Sequence, residues 1–235
     1  MKGQISMADA STEARRIGSS RQRWKQDPAG VRANILSVAR EEFSTNGLSG
    51  TRVDDIAAKT ATSKRMIYYY FGDKDALYRH VLEEAYREVR AGEDALKIDH
   101  LPPVVALRRL TEFTFDHHSR NPAFIRLVMI ENIHNAHYLE QLPEIGSLNK
   151  AAVERLERIY RKGLADGVFR AGIAPLELHW QISALSFFNV SNRATFSGIF
   201  GDSLSRPSGQ KALKAQVVDM VLRFVLQPDL IGDHT

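Results

Sequence analysis

Proline interrupts an α-helix everywhere except its first turn, and the prolines of this 235-residue chain stand between stretches whose apolar side chains recur at helical spacing. Pro28, Pro102-Pro103, Asn121-Pro122, Pro143 and Pro175, together with Asp166-Gly167, therefore divide the chain into helical segments. The expected helices in the second part of the chain run near 103–119, 122–136, 144–166, 175–199 and 209–226. Before them, Val31, Ile35, Ala39 and Phe43 share one helical face that ends at Asn46-Gly47. A short segment with Val53, Ile56 and Ala57 on one face follows Thr51, placed where an N-cap belongs. A second short helix starts at Ser63, with Ile67, Tyr70 and Phe71 as its apolar side, and ends at Gly72-Asp73. A long helix from Asp73 to about Leu96 carries the stripe Leu77, Val81, Ala85 and Val89, with Tyr78, Leu82 and Tyr86 beside it. No segment alternates with period two and no repeat of about 20 to 50 residues is visible. The expected fold is all-α.

Charge is unevenly placed. Residues 1–75 hold 13 Lys and Arg against 9 Asp and Glu, whereas residues 76–235 hold 19 of each, so the whole net charge of +4 sits in the first third. A basic segment of this kind is either a solvated tail or the electrostatic footprint of a polyanion binder. Residues 1–27 are poor in large apolar side chains and read as a disordered basic arm, with Arg15, Arg16, Arg21, Arg23 and Lys25 around Trp24 suited to a phosphate backbone. The absence of cysteine excludes disulfides and thiolate zinc sites. Met1–Ala10 lacks the apolar core of a secretion signal and no apolar run has the length of a membrane span, so a cytoplasmic chain without membrane contact is expected.

The segment VDDIAAKTATSKRMIYYYF, Val53 to Phe71, has the requirements of a helix-turn-helix. Ala57 supplies the small contact where two helices cross, and Ile56, Ile67 and Tyr70 supply the apolar glue. Ser63, Lys64, Arg65, Tyr68 and Tyr69 remain on the second helix as an exposed set rich in donors and cations. From Thr51 through Ile56-Ala57, Ser63, Ile67-Tyr68, Tyr70-Phe71 and Lys74 to Leu77-Tyr78, the chain resembles the DNA-binding signature of the TetR (tetracycline-repressor) family. Two positions depart from it. Thr60-Ala61-Thr62-Ser63 replaces the usual Ala-Gly-Val-Ser, at a cost of about 1 to 2 kcal/mol if Ala61 adopts the left-handed conformation. Tyr70 stands where histidine is common.

The resemblance implies a three-helix DNA-binding domain over 28–75 and a larger helical domain over 76–235 that binds an effector and dimerises. It assigns Thr51, Tyr68, Tyr70 and Lys74 to phosphates, and Lys64 and Arg65 to base edges in the major groove, with Thr62, Ser63 and Tyr69 suited to either. Tyr70 is also readable as core. The expected partners are an operator duplex, a small-molecule effector and a second copy of the chain; no cofactor is expected. Trp180, Leu185 and Phe188, with Leu213, Val217, Met220, Val221 and Phe224, offer more apolar surface than two terminal helices usually hide alone. Tyr86, Phe113, His117, Met129, Ile133, Trp180 and Phe187 are the candidate effector contacts, mixing aromatic walls with polar handles.

Two rival functions compete. Glu131-x-x-His134 on a helix, with Asp116, His117 and His118 on the preceding one, suggests a helical-bundle metalloenzyme, but a di-iron carboxylate site needs two such motifs and further glutamates. A sequence-nonspecific nucleoid-type binder shares the basic N-terminus and leaves the large second domain unexplained.

Overall fold

The computed structural model describes residues 27–60 and 62–234; the expectations for the basic arm and for the Ala61 backbone lie outside these residues. The chain divides into two compact units between Val81 and Leu82, past residue 75 and inside a helix.

In the first unit, α1 spans Pro28–Gly50 and starts with Pro28 at N1 behind Asp27, whose carboxylate accepts from the Gly30 N–H at 2.8 Å. Gly47, at φ +69°, breaks its helical run as the Asn46-Gly47 signal implied. α2 is Val53–Lys59, with Asp54 and Asp55 in its first turn and Lys59 in its last, each complementing the helix dipole. α3 is Lys64–Phe71, capped by Ser63, whose Oγ accepts from the Met66 N–H at 3.3 Å. Gly72 closes α3 at φ +83°, and Asp73 then accepts from the Ala76 N–H at 2.6 Å to start α4, Lys74–Ala95. Ile35, Phe43, Ile56, Ile67, Leu77 and Tyr78 are buried, and the Phe43 and Tyr78 rings meet edge to face at 5.1 Å.

Thr51 does not cap α2. The cap position is Arg52, which makes no side-chain capping bond. The extended backbone of Thr51 after the Gly47 turn aims its hydroxyl back at carbonyls near the end of α1, Gly47 O at 2.7 Å and Glu42 O at 3.0 Å, and Gly47 O accepts the Thr51 N–H as well.

The second unit continues with α5 (Pro103–Arg120), α6 (Pro122–Ile133), α7 (Pro143–Ala165), α8 (Pro175–Ser191), α9 (Arg193–Phe200), α10 (Pro207–Val225) and the short α11 (Ile231–His234). Leu107, Leu156, Phe169, Leu178, Val218 and Leu222 form its core. An antiparallel bridge joins Phe169 to Leu226, with Arg170 N–H donating to Val225 O at 2.8 Å and Gln227 N–H to Val168 O at 3.0 Å. Two expected helices differ. The segment 122–136 ends at Ile133, because Asn135 and Ala136 take positive φ. The segment 175–199 breaks at Asn192 into α8 and α9, where the residue leaves helical geometry at φ −103°, ψ 4° and its side chain donates to Ser191 Oγ. Among the described residues no helix is long and apolar enough to cross a membrane.

Candidate functional site

α3 is amphipathic across a single short turn pair. Ile67 and Phe71, four apart, point into the unit, whereas Arg65, Tyr68 and Tyr69, at i, i+3 and i+4, share the exposed face. Tyr69 is 78% exposed, far more than an aromatic ring with a packing role. Ser63 and Lys64 are also exposed, and Thr62 and Tyr70 are half-buried. The Tyr70 ring lies between those of Tyr69 at 5.4 Å and Phe71 at 6.3 Å. Lys64 is already engaged: its ammonium donates to Asp54 of α2 at 2.9 Å, and this hydrogen bond raises the lysine's pKa. Lys74 Nζ donates to Leu48 O at 2.9 Å and Thr51 O at 3.2 Å, so it ties the α1–α2 turn with two of its three N–H groups. The Thr51 hydroxyl, the remaining sequence candidate on this face, is buried at 2% exposure and occupied by backbone carbonyls.

The second unit contains a partly open cavity of about 510 Å3, within the usual range for small-molecule sites. α4 lines it with Tyr86, Val89, Arg90 and Glu93; α5 with Leu110, Thr114 and His118; α6 with Phe124, Val128 and Asn132; α8 with His179, Trp180, Ser183 and Phe187 among others. Of the residues expected here, Tyr86, Trp180 and Phe187 line the cavity, and Phe113, His117, Met129 and Ile133 do not. Ile133 is 73% exposed, and the Phe113 ring fills the space beside Gly92. In three cases the lining residue is the immediate neighbour: His118 for His117, Val128 for Met129, Asn132 for Ile133. One residue rotates a helix face by about 100°, so apolar spacing that locates a helix leaves its rotation open by one position.

Arg90, Glu93 and His179 were missed by the sequence reading. Arg90 follows Tyr86 by four residues and Glu93 follows Val89 by four, which puts both on the cavity face of α4. Arg90 Nη1 donates to Glu93 at 2.9 Å, and Arg155 of α7 approaches the same carboxylate at 3.5 Å while also pairing with Asp94. Burial pushes the Glu93 pKa up against the downward pull of the two guanidiniums. Burial lowers the pKa of His118 to about 3, with neighbouring His117, Arg90 and His179 adding to the shift, and lowers His179 in the same way with Arg90 contributing. Both imidazoles are neutral at pH 7.

The metal reading fails at its motif. The Glu131 carboxylate is buried and accepts from the N–H groups of Tyr138 at 3.2 Å and Leu139 at 3.1 Å, tying the loop after α6. His134 lies beyond the end of that helix, exposed. Among the described residues no group of three or more His, Asp or Glu is placed to hold an ion.

On α8 and α10, Val217 and Val221 are buried within the unit, while Trp180 (70%), Phe188 and Met220 are exposed. Ile199 and Phe200 on α9, which buries none of its residues, extend this apolar surface.

The model of bacterial regulatory proteins of the tetR family matches residues 35–81, and that of the tetracyclin repressor-like C-terminal domain matches residues 103–221. The HTH-type transcriptional repressor NicS of Pseudomonas putida is 33% identical over 193 residues, covering 82% of this chain and 91% of its own. A bacterial regulatory protein in the tetR family from Rhodococcus RHA1 superposes with a TM-score of 0.68 at 20% identity, covering 83% of this chain and 96% of its own. AibR, solved in complex with isovaleryl coenzyme A and operator DNA, superposes with a TM-score of 0.64 at 18% identity over 81% of this chain and 97% of its own. With an exposed donor-rich helix in its N-terminal unit, a lined cavity in its C-terminal unit and family matches over both, the chain belongs to the TetR family and is a DNA-binding transcriptional regulator.

Proposed function

We propose that this regulator is a repressor that occupies a pseudo-palindromic operator as a homodimer and leaves it when a small molecule fills the cavity of its C-terminal unit. The carrying observation is α4: one helix supplies Lys74, which ties the turn before α2, and Tyr86, Val89, Arg90 and Glu93, which line the cavity. Residues 28–75 act as the reading domain and 76–235 as the sensing and dimerising domain. The protein works in the cytoplasm, beside the chromosome, and has no catalytic role of its own.

Within the reading domain, Arg65 and Lys64 address base edges, Lys64 after release from Asp54. Tyr68, Tyr70 and the third N–H of Lys74 address phosphates, and Thr62, Ser63 and Tyr69 serve either role. Thr51 contributes by holding the α1–α2 turn in place through its buried hydroxyl rather than by touching a phosphate. Two reading helices must reach major grooves about 34 to 36 Å apart, which is why the operator is expected to be two-fold symmetric.

A ligand shifts DNA binding only through its differential affinity for the DNA-bound and released forms. Coupling of about 1 to 3 kcal/mol corresponds to about a 5- to 150-fold loss of operator affinity. Metabolites that bind the purified protein, followed by operator titration with each, test this. Cavity binders that leave operator affinity unchanged would remove the effector half of the proposal.

The dimer face is assigned to the exposed apolar side chains of α8 and α10. Phe188→Asp places a charge where two copies meet, and light scattering at micromolar concentration is expected to report a monomer with weakened operator binding. A variant that stays dimeric assigns the interface elsewhere.

A further inference from the structure

The polar groups of the C-terminal cavity are unequal in charge. Glu93 has 6% side-chain exposure, and the guanidiniums of Arg90 and Arg155 beside it have 14% and 15%. The second carboxylate of the group, Asp94, is 67% exposed, so water screens most of its effect. Two largely buried cations thus face one buried carboxylate and one exposed carboxylate. The excess positive charge lies next to apolar and aromatic walls, including Tyr86, Phe124 and Phe187, where an uncompensated charge is costly.

Hydrogen bonding is incomplete at the same place. Arg90 directs Nη1 to Glu93, and its Nε–H is buried with no partner among the described residues. His118, 7% exposed and on the cavity wall, has an unpartnered buried Nδ1. Buried donors and acceptors normally find partners, and two that do not, on two side chains of one cavity wall, leave polar groups there for a ligand to satisfy once those side chains turn toward it. Arg90 lowers the pKa of both His118 and His179, so the three nitrogen-bearing side chains converge on the same region. The imidazoles are neutral there and offer either an N–H or a lone pair. The guanidinium is the fixed charge, and an acceptor that is both planar and anionic satisfies its open edge.

We propose that the effector is a small organic acid with an apolar, ring-sized body, whose carboxylate pairs with the Arg90 guanidinium and lies against His118. The assignment rests on the effector reading of the cavity and goes beyond it by naming the ligand's chemical class. The carboxylate supplies the negative charge that the buried cluster lacks, and the aromatic walls take the rest of the molecule. A neutral amide of the same shape fills the same space without that charge.

The test uses full-length protein at pH 7 and matched pairs of probes: benzoate with benzamide, phenylacetate with phenylacetamide, and 3-phenylpropionate with 3-phenylpropionamide. Calorimetric titration is expected to give at least one acid that binds tenfold or more tightly than its amide. The double variant Arg90→Gln, Glu93→Gln removes cation and anion together, and its acid and amide affinities are expected to converge. A panel in which no acid outbinds its amide overturns the proposal, and this comparison in the unmodified protein stands even if the double variant fails to fold. Retention of the full acid preference in a folded double variant overturns it too. Operator titration separates this proposal from the broader one. An acid that binds through Arg90 without weakening operator binding upholds the chemistry and sinks the effector reading, whereas a neutral compound that fills the cavity and releases the operator, with no acid preferred, does the reverse.

Discussion

Arg65→Ala is expected to erase about 2 to 6 kcal/mol of the preference for operator over random DNA, because a dimer loses one guanidinium from each half-site and each bidentate contact to guanine discriminates by about 1 to 3 kcal/mol. Arg65 is the cation on the exposed face of α3 that lies beside Tyr68 and Tyr69 and opposite the buried Ile67 and Phe71. Lys64, one residue earlier, begins from an ion pair with Asp54 and must exchange that partner for a base, which reduces its net gain. The fold should be indifferent to the change, since Arg65 is exposed and the helix keeps its Ser63 cap and its apolar side. Random-sequence affinity falls only by the phosphate share of the lost charge, so both titrations belong at one fixed salt concentration. Equal losses on operator and random duplex would reassign Arg65 from base reading to backbone positioning.

What the sequence made legible follows physical locality. Prolines mark helix starts by covalent geometry, and α1, α5, α6, α7 and α8 begin at the prolines that were read as boundaries. The stripe Leu77, Val81, Ala85 and Val89 is buried along its full length because four apolar turns in succession leave no other face to hide. The exposed set on α3 was readable for the converse reason: charged and hydroxyl side chains at those positions have no apolar alternative. Thr51 was misread because a hydroxyl beside a turn has carbonyls behind it and N–H groups ahead, and only the extended backbone after Gly47 decides between them.

The cavity lay further from reach. Its rotation errors at Met129 and Ile133 come from a helix whose apolar residues nearly encircle the axis, so no polar face fixes the register, while at His117 two adjacent histidines leave the choice to packing. Arg90 and Glu93 are charges on a long helix, and what buries them includes Arg155 on α7, a contact invisible to any local window. The division at Val81 and Leu82 was hidden for a related reason, since it falls inside a continuous helix with no proline or glycine beside it to announce it.

Phe169→Ala is expected to lower the stability of the C-terminal unit by about 3 to 5 kcal/mol, the range for removing a fully buried aromatic ring. The ring is 1% exposed, stacks on Tyr160 at 6.3 Å and occupies the space where Gly163 has no side chain. A Cβ on Gly163 would overlap the Phe169 ring, so α7 approaches the ring with nothing but backbone at that point. Around it the Tyr160 hydroxyl donates to Arg170 O at 2.8 Å and accepts from Ile173 N–H at 3.1 Å, which fixes the turn leading into α8. Neighbouring groups held by backbone bonds cannot collapse into the space the ring leaves, which places the loss toward the upper part of the range. For a unit of this size each kcal/mol moves the thermal midpoint by about 2 to 4 °C, so the midpoint should fall by about 6 to 20 °C. Gly163→Val tests the same contact from the other side by overfilling it, and it should also destabilise. Ile133→Ala, at a site 73% exposed, serves as the comparison and should stay within about 0.5 kcal/mol of the parent. If Phe169→Ala melted together with Ile133→Ala, the junction of α7 with the Phe169–Leu226 bridge would not be part of the cooperative core, and the cavity would need to draw its rigidity from the α5 and α8 side alone.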